Sequence, residues 1–163
     1  MPNKFLMDDS IFKFKVEKIK FQSRPNTLEA TNRLNWKLAF VVFLVGRLAG
    51  RHSVSLKRLS VFNWTLQDEQ LFSILDEIVI GESKLAAASV KYEPSLSRAL
   101  LYLKSLKLVE ASDGKYWLTG TGMQFAQELE DSSDIFTKEK EKMNRFTTRQ
   151  ISEVRILSIL GGR

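Results

Sequence analysis

The chain has 163 residues, a formal net charge of +6 at pH 7 and no cysteine. The missing thiols exclude disulfides, thiolate catalysis and cysteine-ligated zinc, and they favour a reducing compartment. The basic charge is concentrated in the N-terminal part, where the first 64 residues carry 12 basic and four acidic side chains. A positive surface of this kind commonly contacts nucleic acid or an acidic partner, and an ordinary solvated basic surface is equally expected.

The N-terminal segment has no feature of a secretion signal. Asp8 and Asp9 stand where a signal peptide needs an apolar core. The longest apolar run, from Leu38 to Val45, is eight residues long, far below the ~20 residues that span a bilayer. We therefore expect a cytoplasmic protein without a membrane anchor.

The first predicted elements are a strand and a long helix. Residues 11–21 alternate apolar and charged side chains, which predicts a half-buried strand whose lysines suit an exposed sheet edge. Asn26 and Glu29 have the spacing of a capping box and open a helix that continues to about Leu48. Because the helix is apolar all round between Leu38 and Val45, we expect it to be the buried axis of the fold.

Two shorter helices are predicted next. Ser55 is the expected N-cap of a short helix, the first of a helix-turn-helix, and Asp68 caps a second one. The outer face of the second helix is acidic and poorly suited to DNA; it carries Glu69, Asp76 and Glu77. Residues 79–92 have too weak a pattern for an assignment.

The stretch from Glu93 to Gly122 has the order helix, strand, tight turn, strand. Pro94 suits a first helical turn, and the apolar residues that follow at helical spacing are Leu96, Ala99, Leu100, Leu103 and Leu106. Asp113-Gly114 is a strong hairpin signal between two β-prone segments. This order, with Leu118-Thr119 closing the second strand, resembles the second half of a winged helix-turn-helix.

The C-terminal part is predicted to be helical and thinly apolar. Thr121 with Gln124 resembles a capping box for a short helix, and Thr147 begins the last helix. The charged helix between them has an apolar stripe of only three residues, Phe136, Met143 and Phe146. Such stripes do not hold alone in water, so these helices either pack back on the domain or lie in a partner's groove.

The predicted fold is therefore mainly α with a small β-wing. A winged helix-turn-helix domain with an N-terminal strand and a long buried helix is expected over residues 1–130. A C-terminal helical extension is expected over residues 131–163.

The sequence offers little for catalysis. His52 is the only histidine, so a multi-histidine metal site does not exist, and no carboxylate stands close to it in sequence. A lone histidine in a basic segment is far more often an exposed side chain or a phosphate contact than a general base. We expect a protein that is not an enzyme and that uses no metal or cofactor.

The outer face of the predicted helix after Pro94 decides between two kinds of binding. Base reading uses Arg, Lys, Asn or Gln at the centre of such a face, whereas this helix has Leu101 and Tyr102 there. Aromatic and aliphatic anchors beside one arginine, Arg98, suit a protein interface. The alternative is that the pair simply packs inside the protein, under Val90, Tyr92 or the C-terminal helices.

Two sets of candidate site residues follow. The candidate DNA contacts are Arg47, Arg51, Lys57, Arg58, Arg98, Lys104 and Lys115. The candidate partner contacts are Leu101, Tyr102, Trp117, Phe136, Met143 and Phe146.

Several short motifs together resemble one family, the middle components of bacterial ABC-three-component antiphage defence systems of the Lamassu type. The first motif is a Ser-x-x-Arg-Leu segment leading to a tryptophan, here Ser55, Arg58, Leu59 and Trp64. The helix and wing motifs are Pro94, Leu96, Arg98, Ala99 and Leu100, followed by Leu118, Thr119 and Gly122. A Lys/Glu-rich helix follows at 138–142. Lys107 departs from the glycine that related winged helices often have before the first wing strand.

The resemblance implies a non-catalytic accessory subunit that docks on the head of an SMC/Rad50-like ABC ATPase and links it to an effector nuclease. ATP hydrolysis and DNA cleavage would belong to those partners, with non-specific DNA contact as an additional role of this chain. The competing interpretation is a stand-alone winged-helix transcription regulator, which predicts a homodimer and sequence-specific DNA binding.

Overall fold

The computed structural model describes residues 34–49, 52–81 and 93–159, which form seven helices and a small three-stranded antiparallel sheet. The elements are α1 Leu34–Ala49, β1 Val54–Ser55, α2 Leu56–Thr65, α3 Glu69–Gly81, α4 Pro94–Ser105, β2 Val109–Ser112, β3 Lys115–Leu118, α5 Gly120–Asp131, α6 Thr137–Asn144 and α7 Glu153–Ile159. The strand predicted over 11–21, the capping box at Asn26 and the candidate Arg51 lie outside the described residues.

Helix α1 is the buried axis of the described structure, as predicted. Six consecutive residues from Phe40 to Val45 are at most 1% exposed. A helix that is apolar all round has to be covered on every side, and α1 is contacted by α2, α4, α5 and the sheet. The other elements are therefore arranged by how they cover α1.

The hairpin β2–β3 forms where the Asp113-Gly114 signal predicts it. Asp113 and Gly114 have φ values of 51° and 72°, which are the two left-handed residues of a type I′ turn. Ser112 pairs with Lys115 directly across this turn. Strand β1 adds to the far edge of β3, with Val54 opposite Tyr116, so the sheet order is β1-β3-β2.

Helix α4 buries four of the five residues predicted to face inward, namely Leu96, Ala99, Leu100 and Leu103. Leu106 was predicted to face inward as well, and this is wrong, because its side chain is 58% exposed. The helix ends at Ser105, Leu106 is its C-cap, and Lys107 takes a left-handed φ of 57°. The chain therefore leaves the helix before Leu106 can reach the core.

Helix α5 begins earlier than predicted. Thr119, not Thr121, is its N-cap, and the Thr119 hydroxyl oxygen accepts a hydrogen bond from the Gly122 N–H at 3.0 Å. The same hydroxyl donates to the Lys107 carbonyl oxygen at 2.7 Å. One side chain thus caps α5 and ties its start to the end of α4, a long-range contact that a local capping pattern does not contain.

The C-terminal residues pack back on the rest of the protein, which confirms the first of the two predicted alternatives for the described part. The Phe136 ring lies within 5.5 Å, between ring centroids, of Trp36, Phe40 and Phe43 on α1. The Phe146 ring lies 5.7 Å from Phe72 of α3.

The last helix starts later than predicted. Thr147 bonds with Gln150 in a turn of its own, and α7 begins at Glu153.

We predict that Gly122→Ala strongly destabilises the protein. A Cβ atom at this position would lie 2.0 Å from the Leu108 carbonyl oxygen, so the backbone before β2 has to move. We expect the free energy of unfolding to fall by about 2–3 kcal/mol, the usual cost of overpacking. Urea denaturation measures the change.

Gly120→Ala is the matched control two residues earlier in the same helix. Its Cβ would meet no atom within 4 Å, so we expect no loss and a gain of up to about 0.5 kcal/mol from the stiffer unfolded chain. Equal unfolding free energies for the two variants would contradict the close approach of α5 to Leu108.

Candidate functional site

The exposed face of α4 carries three large apolar side chains. Leu101 is 67% exposed, Tyr102 53% and Leu106 58%. Tyr102 and Leu106 are four residues apart and therefore neighbours on the helix surface, with Leu101 beside them. We call these three residues the α4 apolar patch. The alternative in which the C-terminal helices cover Leu101 and Tyr102 is wrong, because both side chains are exposed. Val90 and Tyr92, the other residues considered as cover, lie outside the described residues.

The α4 apolar patch has a cationic rim. Arg98, Lys104 and Lys107 are exposed and take part in none of the salt bridges between described residues. Arg98 lies one helical turn before Leu101 and Tyr102, and Lys104 and Lys107 flank Leu106 in sequence. The surface therefore combines apolar contact area with positive charge that no acid of the described residues neutralises.

A buried polar network holds the N-terminal end of α4. The Lys37 ammonium on α1 donates to Asn63 Oδ1 at 2.8 Å and to the two carboxylate oxygens of Glu93 at 3.0 and 3.2 Å. Asn63 on α2 and Ser95 on α4 also donate to the Glu93 carboxylate. Asn63 is fully buried and Lys37 is 6% exposed, whereas the Glu93 side chain is 37% exposed. The network therefore ties three helices together, and its carboxylate end is partly open to solvent.

The network shifts the pKa of both of its charged members. Burial lowers the pKa of Lys37, and the hydrogen bond and charge of Glu93 only partly offset that effect. For Glu93, burial by itself raises the pKa, but hydrogen bonds from Ser95 and Lys37, the charge of Lys37 and the bond from Asn63 outweigh it. The pKa of Glu93 therefore lies below its ordinary value, and the carboxylate is held ionised.

Among the described candidate DNA contacts, some side chains are exposed and others bond within the protein. Lys57, Lys115, Arg98 and Lys104 are exposed. Arg47 is half-buried, and its Nε donates to Glu130 Oε2 on α5 at 2.9 Å.

The expected DNA contact at Arg58 is corrected by the structure. Arg58 is only 5% exposed, and its Nη1 donates to the Leu48 carbonyl oxygen at 2.9 Å. As the arginine of the Ser-x-x-Arg-Leu motif, Arg58 packs between α1 and α2. We therefore remove it from the candidate DNA surface.

The candidate partner contacts divide in the same way. Phe136, Met143 and Phe146 are at most 7% exposed and belong to the core, so we remove them from the candidate partner surface. Phe136 packs the C-terminal extension against α1, and Phe146 packs it against Phe72 of α3. Trp117 is half-buried, and its indole N–H donates to Glu110 Oε2 across the hairpin at 2.9 Å.

Two functional features were not predicted from the sequence. Leu106 enlarges the α4 apolar patch, and no local signal separates it from the inward leucines, because it keeps their spacing. Half of the Lys37–Glu93 pair could have been predicted. Lys37 directly precedes an apolar helical run, and a lysine buried there needs a polar partner. Its partner, 56 residues away, requires the fold.

Residues 34–49, 52–81 and 93–159 also bear on metal and membrane binding. Those ranges contain no group of three or more His, Asp or Glu side chains that could hold a metal ion, and His52 is exposed. None of the helices described is long and apolar enough to cross a membrane.

The chain matches no protein family, no characterised protein and no solved structure in the three comparisons made. Its relation to the three-component defence systems therefore stays a proposal.

We predict that Glu93→Gln lowers the free energy of unfolding at pH 7 by about 1–3 kcal/mol, because it weakens charge-assisted hydrogen bonds around Lys37. The pKa of Glu93 is lower in the folded than in the unfolded protein, so its stabilisation is complete above the ordinary value of 4.5. It is lost as the pH falls further through the folded pKa. The difference between wild type and variant should therefore shrink below pH 4.5 in acid-series urea titrations.

Glu110→Gln is the control, because Glu110 is exposed and bonds only to Trp117 among the described residues. We expect a change within about 0.5 kcal/mol. A Glu93→Gln effect that stays constant from pH 7 to pH 3 would contradict an ionised Glu93.

Proposed function

We propose that this chain is a non-catalytic winged-helix subunit that works by docking on another protein through the exposed face of α4. The element order around α1, with β1 before α2 and the hairpin β2–β3 directly after α4, is compatible with a winged helix. In that fold α4 corresponds to the helix that reads DNA bases. The α4 apolar patch is the observation that carries the proposal, because leucine and tyrosine side chains do not distinguish base pairs.

The patch has the composition of a binding hot spot. Tyrosine and arginine are enriched among residues that dominate interface energies, and both occur here, as Tyr102 and Arg98. Burying a large apolar side chain is worth about 1.5–3 kcal/mol, so three such residues supply a substantial part of a stable interaction. An exposed cluster of this kind otherwise lowers solubility.

The charges define the chemistry of the partner. Arg98, Lys104 and Lys107 favour a partner surface with an apolar groove and acidic residues at its edge. A second copy of this chain docked face to face would oppose these three cations to their own counterparts, which is unfavourable. We therefore propose a different protein as the occupant.

The resemblance supplies the identity of that partner. The Pro94 helix and the Leu118-Thr119 wing end resemble the middle components of Lamassu-type systems, which implies docking on the head of an SMC/Rad50-like ABC ATPase. The subunit would link that ATPase to an effector nuclease in antiphage defence. In this proposal ATP hydrolysis and DNA cleavage belong to the partners.

DNA contact is the second candidate function, and the exposed cations favour it. Lys57, Lys115, Arg98 and Lys104 can bind phosphates, which positions a protein on DNA without reading its sequence. This role is compatible with a subunit held next to DNA by its ATPase. A transcription regulator would additionally need base contacts, which the centre of α4 does not offer.

We predict that an ABC ATPase is encoded beside the gene for this chain and that the two proteins co-elute when they are co-expressed. Leu101→Ser with Tyr102→Ser should weaken this complex about 100-fold or more, because truncating each hot-spot residue costs about 1.5–2 kcal/mol. Calorimetric titration of the purified proteins measures the affinities.

Val154→Ser is the matched control, since Val154 is 80% exposed but lies on α7. It should leave the affinity unchanged. If wild type and ATPase do not co-elute, the subunit proposal fails. If the double variant binds like wild type, α4 is not the docking surface.

We predict weak DNA binding that depends steeply on salt and not on sequence. Lys57→Gln and Lys115→Gln should each reduce the slope of log K against log salt by about 0.9, if each lysine neutralises one phosphate. Fluorescence anisotropy on unrelated duplexes measures both properties. A stable homodimer that selects one operator, with Arg98→Ala relaxing the choice, would instead establish the transcription regulator.

A further inference from the structure

A second surface feature lies where the end of α3 meets the C-terminal residues. It is a cavity of about 290 Å³ lined by Val79, Ile80, Arg149, Gln150 and Arg155. The cavity shares no residue with the α4 apolar patch or with its cationic rim. It therefore needs an explanation that is independent of the proposed docking function.

The polar residues that line this cavity, among those the structure describes, bring hydrogen-bond donors. Arg149 and Arg155 bring two guanidinium groups, and neither forms a salt bridge with a described acid. Gln150 contributes an amide whose oxygen is already used, because Gln150 Oε1 accepts from the Thr147 N–H at 2.9 Å and from its hydroxyl at 3.0 Å. The amide nitrogen of Gln150 is left to donate.

The two arginines differ from the most buried cations of the described residues. The three buried cations all have acidic partners, in the pairs Lys37–Glu93, Arg58–Glu153 and Lys142–Glu69, and half-buried Arg47 pairs with Glu130. Arg155 is half-buried as well, yet it shares its cavity with another cation. Two positive charges at one cavity repel each other unless an anion lies between them.

The other two lining residues within the described ranges, Val79 and Ile80, are apolar. Val79 is 3% exposed and Ile80 is 57% exposed, so Ile80 offers most of its side chain to an incoming molecule. A ligand that satisfies both parts of this lining has an oxyanion beside an aliphatic group. Guanidinium groups suit this ligand because their planar fork binds carboxylate and phosphate oxygens in a bidentate manner.

We propose that this cavity is a binding site for a small oxyanion, a carboxylate or a phosphate, held by Arg149 and Arg155 with the Gln150 amide as a further donor. The bound anion would bridge the C-terminal segment that carries both arginines to the end of α3. Ligand binding should therefore also stabilise the packing of the C-terminal residues on the rest of the protein.

The competing physical explanation is that the arginines only offset the negative end of the α3 dipole, since α3 ends at Gly81 beside this cavity. That role predicts that removing the arginines lowers stability in every buffer alike. Only an anion site predicts a saturable effect of added ligand that disappears with the arginines.

The test is thermal unfolding of the full chain in inorganic phosphate, butyrate or chloride at equal pH and ionic strength. We expect a saturable rise in Tm of about 3–5 °C over chloride at ten times the dissociation constant, for at least one of the first two anions. A response to phosphate alone identifies a phosphate site. A response to butyrate identifies a carboxylate site that uses the Ile80 wall.

The double variant Arg149→Gln with Arg155→Gln should lose this rise. Lys138→Gln removes a positive charge from an exposed position outside both proposed sites and should keep it. Should the glutamine variant fail to fold, Arg149→Lys with Arg155→Lys keeps the charge but loses the bidentate fork, so its dissociation constant should rise about tenfold or more in calorimetric titration.

A rise in Tm that is equal in wild type and double variant is a general salt effect and overturns the proposal. The absence of any rise with both anions overturns it as well. Neither result bears on the ATPase complex, because α4 and this cavity share no residue.

Discussion

The need to bury α1 on all sides governs the described structure. Phe40 to Val45 leave no polar face that could point to water, so every neighbouring element has to present an apolar surface to this helix. Helix α4 does so with Leu96, Ala99, Leu100 and Leu103, and the C-terminal segment does so with Phe136. Once its inner face is used in this way, the opposite face of α4 is left for solvent or for a partner.

The Lys37–Asn63–Glu93 network makes this arrangement specific. Apolar burial alone would allow α4 to rotate or slide along α1. A buried charge does not allow this, because moving it away from its partner leaves it unpaired at a high cost in free energy. Because Glu93 directly precedes Pro94, the pairing fixes the point at which α4 begins. The orientation of the α4 apolar patch is therefore determined by an ion pair at the N-terminal end of the helix.

Positive charge serves two different purposes in this protein. Arg58 and Lys142 stabilise contacts inside the protein. Arg58 donates to the Leu48 carbonyl oxygen, Lys142 donates to the Leu66 carbonyl oxygen, and each lies near a carboxylate. The rim of the α4 apolar patch and the cavity at Arg149 and Arg155 keep their charge unneutralised by the described acids. The proposed partner surface and the proposed anion site both follow from this second group, and they fit a subunit that is held by several contacts at once.

Local chemistry by itself determined the helix after Pro94, the turn at Asp113-Gly114 and the apolar character of α1, because each depends on residues adjacent in the chain. Tertiary structure alone decided which polar and aromatic residues stay outside. Arg58 and Arg98 are both arginines of predicted helices and were both expected to contact DNA. In the structure Arg58 is buried against Leu48, whereas Arg98 is exposed. Phe136 is drawn into the core by three rings on α1, whereas Leu106 keeps the helical spacing but follows the end of α4. Burial of a side chain depends on partners that are distant in the chain, and neither charge nor periodicity encodes where those partners lie.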